Sequence, residues 1–176
     1  AADTFDEAER LLPHTGVLYS LRSDLKDQWV KQVREARESY EKTLAGHDKS
    51  VIRQYAGGAW KKVEEAVRRG RRAETGGRYT DAVAAYREAS SLLHGAAREA
   101  AFAGHVAAAR DLLEEGKSPD ALARVDKALA IRPEDVSARA LKKKIEGRVH
   151  EDTFAAAVSE AEKLMEDEDL EAALAK

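Results

Sequence analysis

GGRYTDAVAAYREASSLL, Gly76 to Leu93, is answered further along the chain by EGKSPDALARVDKALAIRP, Glu115 to Pro133. Lining up Ala82 with Ala121 places Gly77 over Gly116, Tyr86 over Val125 and Ala89 over Ala128. Small residues thus recur where two helices would have to touch. A third, incomplete copy, MEDEDLEAALAK, runs from Met165 to Lys176. Self-similarity at tens of residues is the signature of a helical solenoid rather than of a catalytic fold. The expectation is an all-α binding scaffold, an antiparallel helix-pair solenoid.

Composition agrees. Aromatic residues make up 6% of the 176 residues, so a core must be built from Ala, Leu and Val, and 36% charged residues with 3 Pro suit amphipathic helices. No long alternating Val, Ile, Thr or Tyr run suggests strands. The absence of cysteine removes disulfides, thiolate nucleophiles and zinc-thiolate sites. No apolar stretch approaches the ~20 residues needed to span a bilayer. The acidic start, AADTFDEAER, has no signal-peptide layout, and the expected location is the cytoplasm unless the start has been trimmed. Net charge is −3, but Lys61 to Arg78 holds seven basic and three acidic residues, whereas His150 to Lys176 holds two basic and nine acidic.

Along the chain, Thr4 and Glu7 form a capping-box pattern whose helix ends at Pro13. From Val17, the residues Leu18, Leu21, Leu25, Trp29, Val33, Ala36, Tyr40 and Leu44 make one stripe on one long helix, closed by Gly46. Asp48 caps a second, whose stripe Ile52, Ala56, Ala59, Val63, Ala66, Gly70 and Ala73 reaches Gly76 and Gly77. Residues 1–62 therefore read as an N-terminal helical hairpin or cap, its second helix running on to about 75, and residues 63–176 as the repeats. Gly57 and Gly58 predict a kink or a close crossing. Further helices are predicted over Tyr79–Leu93, ended by Gly95, and over Ala96–Glu115, ended by Gly116. A fifth begins with Ser118 as N-cap and Pro119 in the first turn and ends at Pro133. Others follow at about Asp135–Arg148, Asp152–Glu166 and from Asp169.

Ala66, Gly70, Tyr79, Ala82, Tyr86 and Ala89 resemble the tetratricopeptide-repeat pattern, and Leu112, Ala121, Ala128, Leu129 and Pro133 resemble a second copy. The resemblance covers about residues 63–135 clearly and 152–176 weakly. It implies a right-handed superhelix whose concave surface binds an extended peptide or a partner helix. There are departures. The copies lie 39 residues apart rather than ~34, the third lies 52 further on, and Ala109 stands where a glycine is expected. The helix from Asp135 is either the first of a degenerate repeat or an insert between repeats.

By the same resemblance, the concave positions are Val67, Arg68 and Arg71; Val106, Arg110 and Leu113; and Val158, Glu162 and Met165. Arginines beside apolar side chains suit an acidic peptide with hydrophobic anchors, because guanidinium forks pair with carboxylates bidentately. The chain contains no asparagine, which argues against the asparagine-and-lysine clamp of the chaperone-binding members of that family. The run Arg68 to Arg72 has the charge for phosphates, but it is diluted by Glu64, Glu65 and Glu74 and lacks stacking aromatics, so nucleic acid is disfavoured. The five histidines are scattered, four at expected loops or helix ends, with none in metal-ligand spacing. No phosphate loop, catalytic triad or carboxylate pair stands out.

The leading expectation is a non-catalytic interaction scaffold without cofactor or metal, a segment of a larger bacterial protein. The alternative is a regulatory or oligomerisation region of a multidomain enzyme, with Leu18, Leu21, Leu25, Trp29 and Val33 forming a homodimer surface. Anion or nucleic-acid binding through Arg68 to Arg72 comes third.

Overall fold

The computed structural model describes residues 16–166 and the side chains of residues 20–165. The capping box at Thr4, the Leu18 side chain, the third copy beyond Glu166 and the helix expected from Asp169 lie outside the described residues. Those residues form six helices and no strand: α1 (Gly16–Ala45), α2 (Lys49–Tyr55), α3 (Gly57–Thr75), α4 (Tyr79–Glu114), α5 (Ser118–Ile131) and α6 (Val136–Glu166). Among the described residues, no helix is long and apolar enough to cross a membrane. The chain divides into two compact units, residues 1–97 and 98–176, and α4 passes from the first into the second.

Unit one holds α1, α2, α3 and the first half of α4. Asp48 caps α2 through Oδ1, which accepts from the Ser50 backbone N–H at 2.8 Å. The helix breaks at Ala56, where φ is −136° and ψ 39°. A Cβ added at Gly57 or Gly58 would meet nothing within 4 Å, so no close helix crossing is made there. Helix α3 then packs antiparallel to α1, where Arg37 Nη1 donates to Glu74 Oε1 at 2.9 Å, and antiparallel to α4, where Arg69 meets Glu88 at 2.7 Å. Glu74 also accepts from the Tyr86 hydroxyl at 2.8 Å, so one carboxylate ties three helices. Ala66, Ala82 and Ala89 are fully buried between them.

Unit two holds the rest of α4, with α5 and α6. Phe102, Ala109, Ala121, Val125, Ala128, Ala138 and Ile145 make its core. Helices α5 and α6 run antiparallel, as the pairs Asp126–Lys142 at 2.8 Å and Ser118–Asp152 at 2.7 Å show.

The internal repeat is a repeat of geometry. Helix α3 ends with Gly76, Gly77 and Arg78 donating to Arg72, Glu74 and Ala73, and Ala82 donates to Arg78. Helix α4 ends with Glu115, Gly116 and Lys117 donating to Asp111, Leu113 and Leu112, and Ala121 donates to Lys117. Every donor and acceptor is displaced by the same 39 residues. Gly77 and Gly116 take φ of 71° and 75°, the left-handed conformation that closes a helix and that only glycine adopts without strain. One unequal pair, Gly70 against Ala109, has a packing reason. A Cβ at Gly70 would lie 3.1 Å from the Tyr86 ring, whereas Ala109 shares its core with the smaller Val125. Where the partner is large the residue is glycine, and where the partner is small it is alanine.

Three local expectations are corrected. The helices expected over Tyr79–Leu93 and Ala96–Glu115 are one helix of 36 residues. Gly95 lacks the positive φ of Gly77 and Gly116, and a lone helical glycine costs only about 1 kcal/mol, less than Leu93, Ala96 and Ala100 recover by burial. Likewise the segments expected over Asp135–Arg148 and Asp152–Glu166 form one helix, since nothing after Gly147 ends it. Ser118 is not the N-cap of α5: Lys117 takes that place, and the Ser118 hydroxyl, fully buried, is committed to Asp152.

Candidate interaction groove

The break at Ala56 shapes the surface of unit one. It turns α2 so that Lys49 and Arg53 stand beside α3, opposite the end of α1 that carries Tyr40 and Leu44. A groove of about 380 Å³ results, with Trp60 and Val67 in its floor and Arg68 and Arg71 along its far side. Trp60 is held firmly: its Nε1 donates to Glu64 Oε1 at 2.7 Å, and the Arg53 guanidinium lies 5.3 Å from its ring centroid, within cation–π range. Burial raises the pKa of the Tyr40 hydroxyl, and Arg71 opposes that shift.

Four cations, Lys49, Arg53, Arg68 and Arg71, thus line the groove against one carboxylate, Glu64. Arg53 sits 3.6 Å from Glu64. Lys49, Arg68 and Arg71 have no carboxylate partner among the described residues. The opposite side of α3 is closer to balance, with three cations against two carboxylates. There Arg69 is paired with Glu88 at 2.7 Å, and Arg78 lies 3.9 Å from Asp81, around a second cavity that also touches Arg72. The run Arg68 to Arg72 is therefore shared between the two cavities, Arg68 and Arg71 lining the first and Arg69 and Arg72 the second.

Of the nine positions expected in a concave groove, Val67, Arg68 and Arg71 line this one together. Val106 and Leu113 pack against the core of unit two, and Arg110 is exposed. Val158, Glu162 and Met165 are exposed on α6. Of the residues named for a dimer surface, Leu21 is exposed, Leu25 and Trp29 are half-buried, and Val33 faces the chain's own core. Lys49 and Arg53 were not legible as groove residues, because only the turn at Ala56 brings them to α3. The spacing of Trp60 and Glu64, one helical turn apart, is the one local signal that a polar rim adjoins the aromatic.

Among the described residues, no group of three or more His, Asp or Glu side chains could hold a metal ion. His94 and His150, expected at helix ends, lie inside α4 and α6. The His47 and His94 rings meet edge to face with centroids 6.1 Å apart. The pKa of His105 is lowered by burial first and by Arg124 and Lys127 second.

Comparisons with protein-family models, curated proteins and solved structures give no match to this chain.

Proposed function

We propose that this chain is a non-catalytic protein-interaction scaffold whose unit-one groove binds an acidic segment of a partner through carboxylates and an apolar anchor. The observation that carries the reading is the cluster of Lys49, Arg68 and Arg71, without carboxylate partners among the described residues, around a floor of Tyr40, Trp60 and Val67. Three unneutralised cations at the rim of one groove repel one another, and an incoming carboxylate relieves that repulsion. The floor is already largely covered, so charge contributes more than apolar burial and binding weakens as salt rises. A tetratricopeptide-like kinship belongs to the same proposal. The 39-residue recurrence and the Gly70–Tyr86 contact support it, and the unbroken α4 departs from it.

The test is a titration followed by tryptophan fluorescence, using a Glu- and Asp-rich peptide with one leucine or phenylalanine. Arg68→Glu/Arg71→Glu should weaken binding by at least about tenfold, and wild-type affinity should fall with salt. Arg69→Glu/Arg72→Glu, on the other side of α3, should bind nearly as the wild type does. Equal losses in the two variants, or affinity indifferent to salt, would remove the groove from the mechanism.

A further inference from the structure

The four cations of the unit-one groove are not alike. Lys49, Arg68 and Arg71 reach it without a carboxylate partner among the described residues, whereas Arg53 is engaged twice. Its guanidinium lies 5.3 Å from the centroid of the Trp60 ring, and its Nη2 is 3.6 Å from Glu64 Oε1. The same oxygen accepts the Trp60 indole N–H at 2.7 Å. Arg53, Trp60 and Glu64 therefore close a triangle in which the guanidinium covers the ring and one carboxylate oxygen serves both neighbours.

The triangle hides the largest apolar side chain that lines the groove, since Trp60 is only 6% exposed. Its cover is the loosest part of it. The Arg53 side chain is 60% exposed and that of Glu64 44%, and exposed ion pairs and cation–π contacts are each weak. At 3.6 Å the Arg53–Glu64 contact is longer than a hydrogen bond, so Glu64 leaves the guanidinium fork without a bidentate partner. An incoming carboxylate offers that fork two parallel N–H···O bonds. Ile52, beside Arg53 on α2, is 2% exposed and anchors the helix, so the exchange moves one side chain and not α2.

We propose that Arg53 sets the specificity of the groove: without a ligand it covers the Trp60 face, and a ligand carboxylate draws it aside, so that an apolar side chain is received on Trp60 only when a carboxylate accompanies it. Glu64 competes with that carboxylate for Arg53. The ligand class narrows to segments in which an acidic and an apolar residue lie close together; acidic tracts alone bind more weakly, and apolar segments without carboxylates do not bind. This inference rests on the groove reading above and adds to it a coupling between the two kinds of contact.

Trp29→Phe in the full chain leaves Trp60 as the reporting tryptophan. Four peptides are titrated against it: an acidic peptide with one leucine, the same peptide with serine for leucine, and both again with Gln and Asn in place of Glu and Asp. Leucine should strengthen the acidic peptide by about fivefold to tenfold, with a shift in Trp60 emission, and should confer no binding on the uncharged one. Arg53→Ala should break that dependence, so that leucine strengthens charged and uncharged peptides by the same factor. Glu64→Gln keeps an acceptor for the indole N–H and removes the competing charge, so the acidic peptides should bind severalfold tighter at low salt. Arg53→Gln, which retains a long polar side chain, repeats the test if Arg53→Ala lowers the unfolding midpoint. The inference is overturned if acidic peptides bind but leucine contributes equally with and without carboxylates in the Arg53 chain, or if Glu64→Gln leaves their affinity unchanged. If no acidic peptide binds the Arg53 chain at all, the groove reading falls and this inference falls with it.

Discussion

Gly70→Ala should be harmful or nearly neutral in this protein and helpful once Tyr86 is made small. The added methyl would lie 3.1 to 3.2 Å from three carbons of the Tyr86 ring, inside normal contact distance. The ring has nowhere to go. It is 1% exposed, and its hydroxyl is fastened to Glu74, which Arg37 holds from α1. Overpacking of this kind costs about 1–3 kcal/mol, and replacing a helical glycine by alanine returns about 1 kcal/mol. The net change is a loss of about 0–2 kcal/mol. In a Tyr86→Val background the methyl meets no ring and partly fills the space left behind, so the same substitution should gain about 1 kcal/mol. The two sites should therefore couple by about 1–3 kcal/mol. Tyr86→Phe separates ring from hydroxyl: it keeps the clash, so Gly70→Ala should remain costly there. Urea unfolding followed by far-UV circular dichroism, with slopes compared across the set, supplies the free energies. Equal effects of Gly70→Ala in the wild-type and Tyr86→Val backgrounds would refute the size-compensation account of the two repeats.

The other predictions concern the same elements. Burial first, and the hydrogen bond to Glu74 second, push the Tyr86 pKa up to about 12. Its folded value lies above its unfolded one, so the stability it contributes is complete below pH ~10 and is lost as pH rises towards ~12, by about 2–3 kcal/mol in all. Tyrosinate absorbance should place the ionisation of this group in the folded chain near pH 12, and Tyr86→Phe should flatten that part of the stability profile. Gly95→Ala should stabilise the chain by about 0.5–1 kcal/mol, because the residue sits in open space inside a continuous helix. Gly116→Ala should destabilise by about 1–2 kcal/mol through its φ of 75°. Thermal unfolding of the two variants side by side should give midpoint shifts of opposite sign, and a loss on Gly95→Ala would mean that the chain needs a break there.

That contrast between glycines marks how far the sequence could be read. Gly77 and Gly116 were legible as helix ends because each stands at the same place in a repeated phrase, and the repeated phrase carries its hydrogen bonds with it. Gly95 and Gly147 look alike in isolation. What distinguishes them is φ, which depends on whether the following amides can return to the carbonyls of the last turn, and one glycine in a run of helix formers does not decide that. The all-helical class, the apolar stripes and the pairing of α3 with the first half of α4 followed from periodicity, whereas periodicity left open what the helix from Asp135 packs against. The groove followed only in part. Val67, Arg68 and Arg71 share a helix and were placed by the repeat register, whereas Lys49 and Arg53 reach them through the break at Ala56.

The two repeats also differ in how their polar groups are spent, and the difference bears on where partners bind. In unit one the position of Glu74 is polar and collects Arg37 and the Tyr86 hydroxyl, so α1 is tied to the hairpin by charge-assisted hydrogen bonds. In unit two the equivalent position is Leu113 and the third helix is held by apolar packing, with the Ser118–Asp152 bond at one end. Spending Glu74 on this half-buried network leaves Glu64 as the only carboxylate among the described residues that line the groove, already engaged by Trp60 and close to Arg53. The excess positive charge at Arg68 and Arg71 is thus a consequence of how unit one holds its helices together. A carboxylate from outside the chain can neutralise it without disturbing that network.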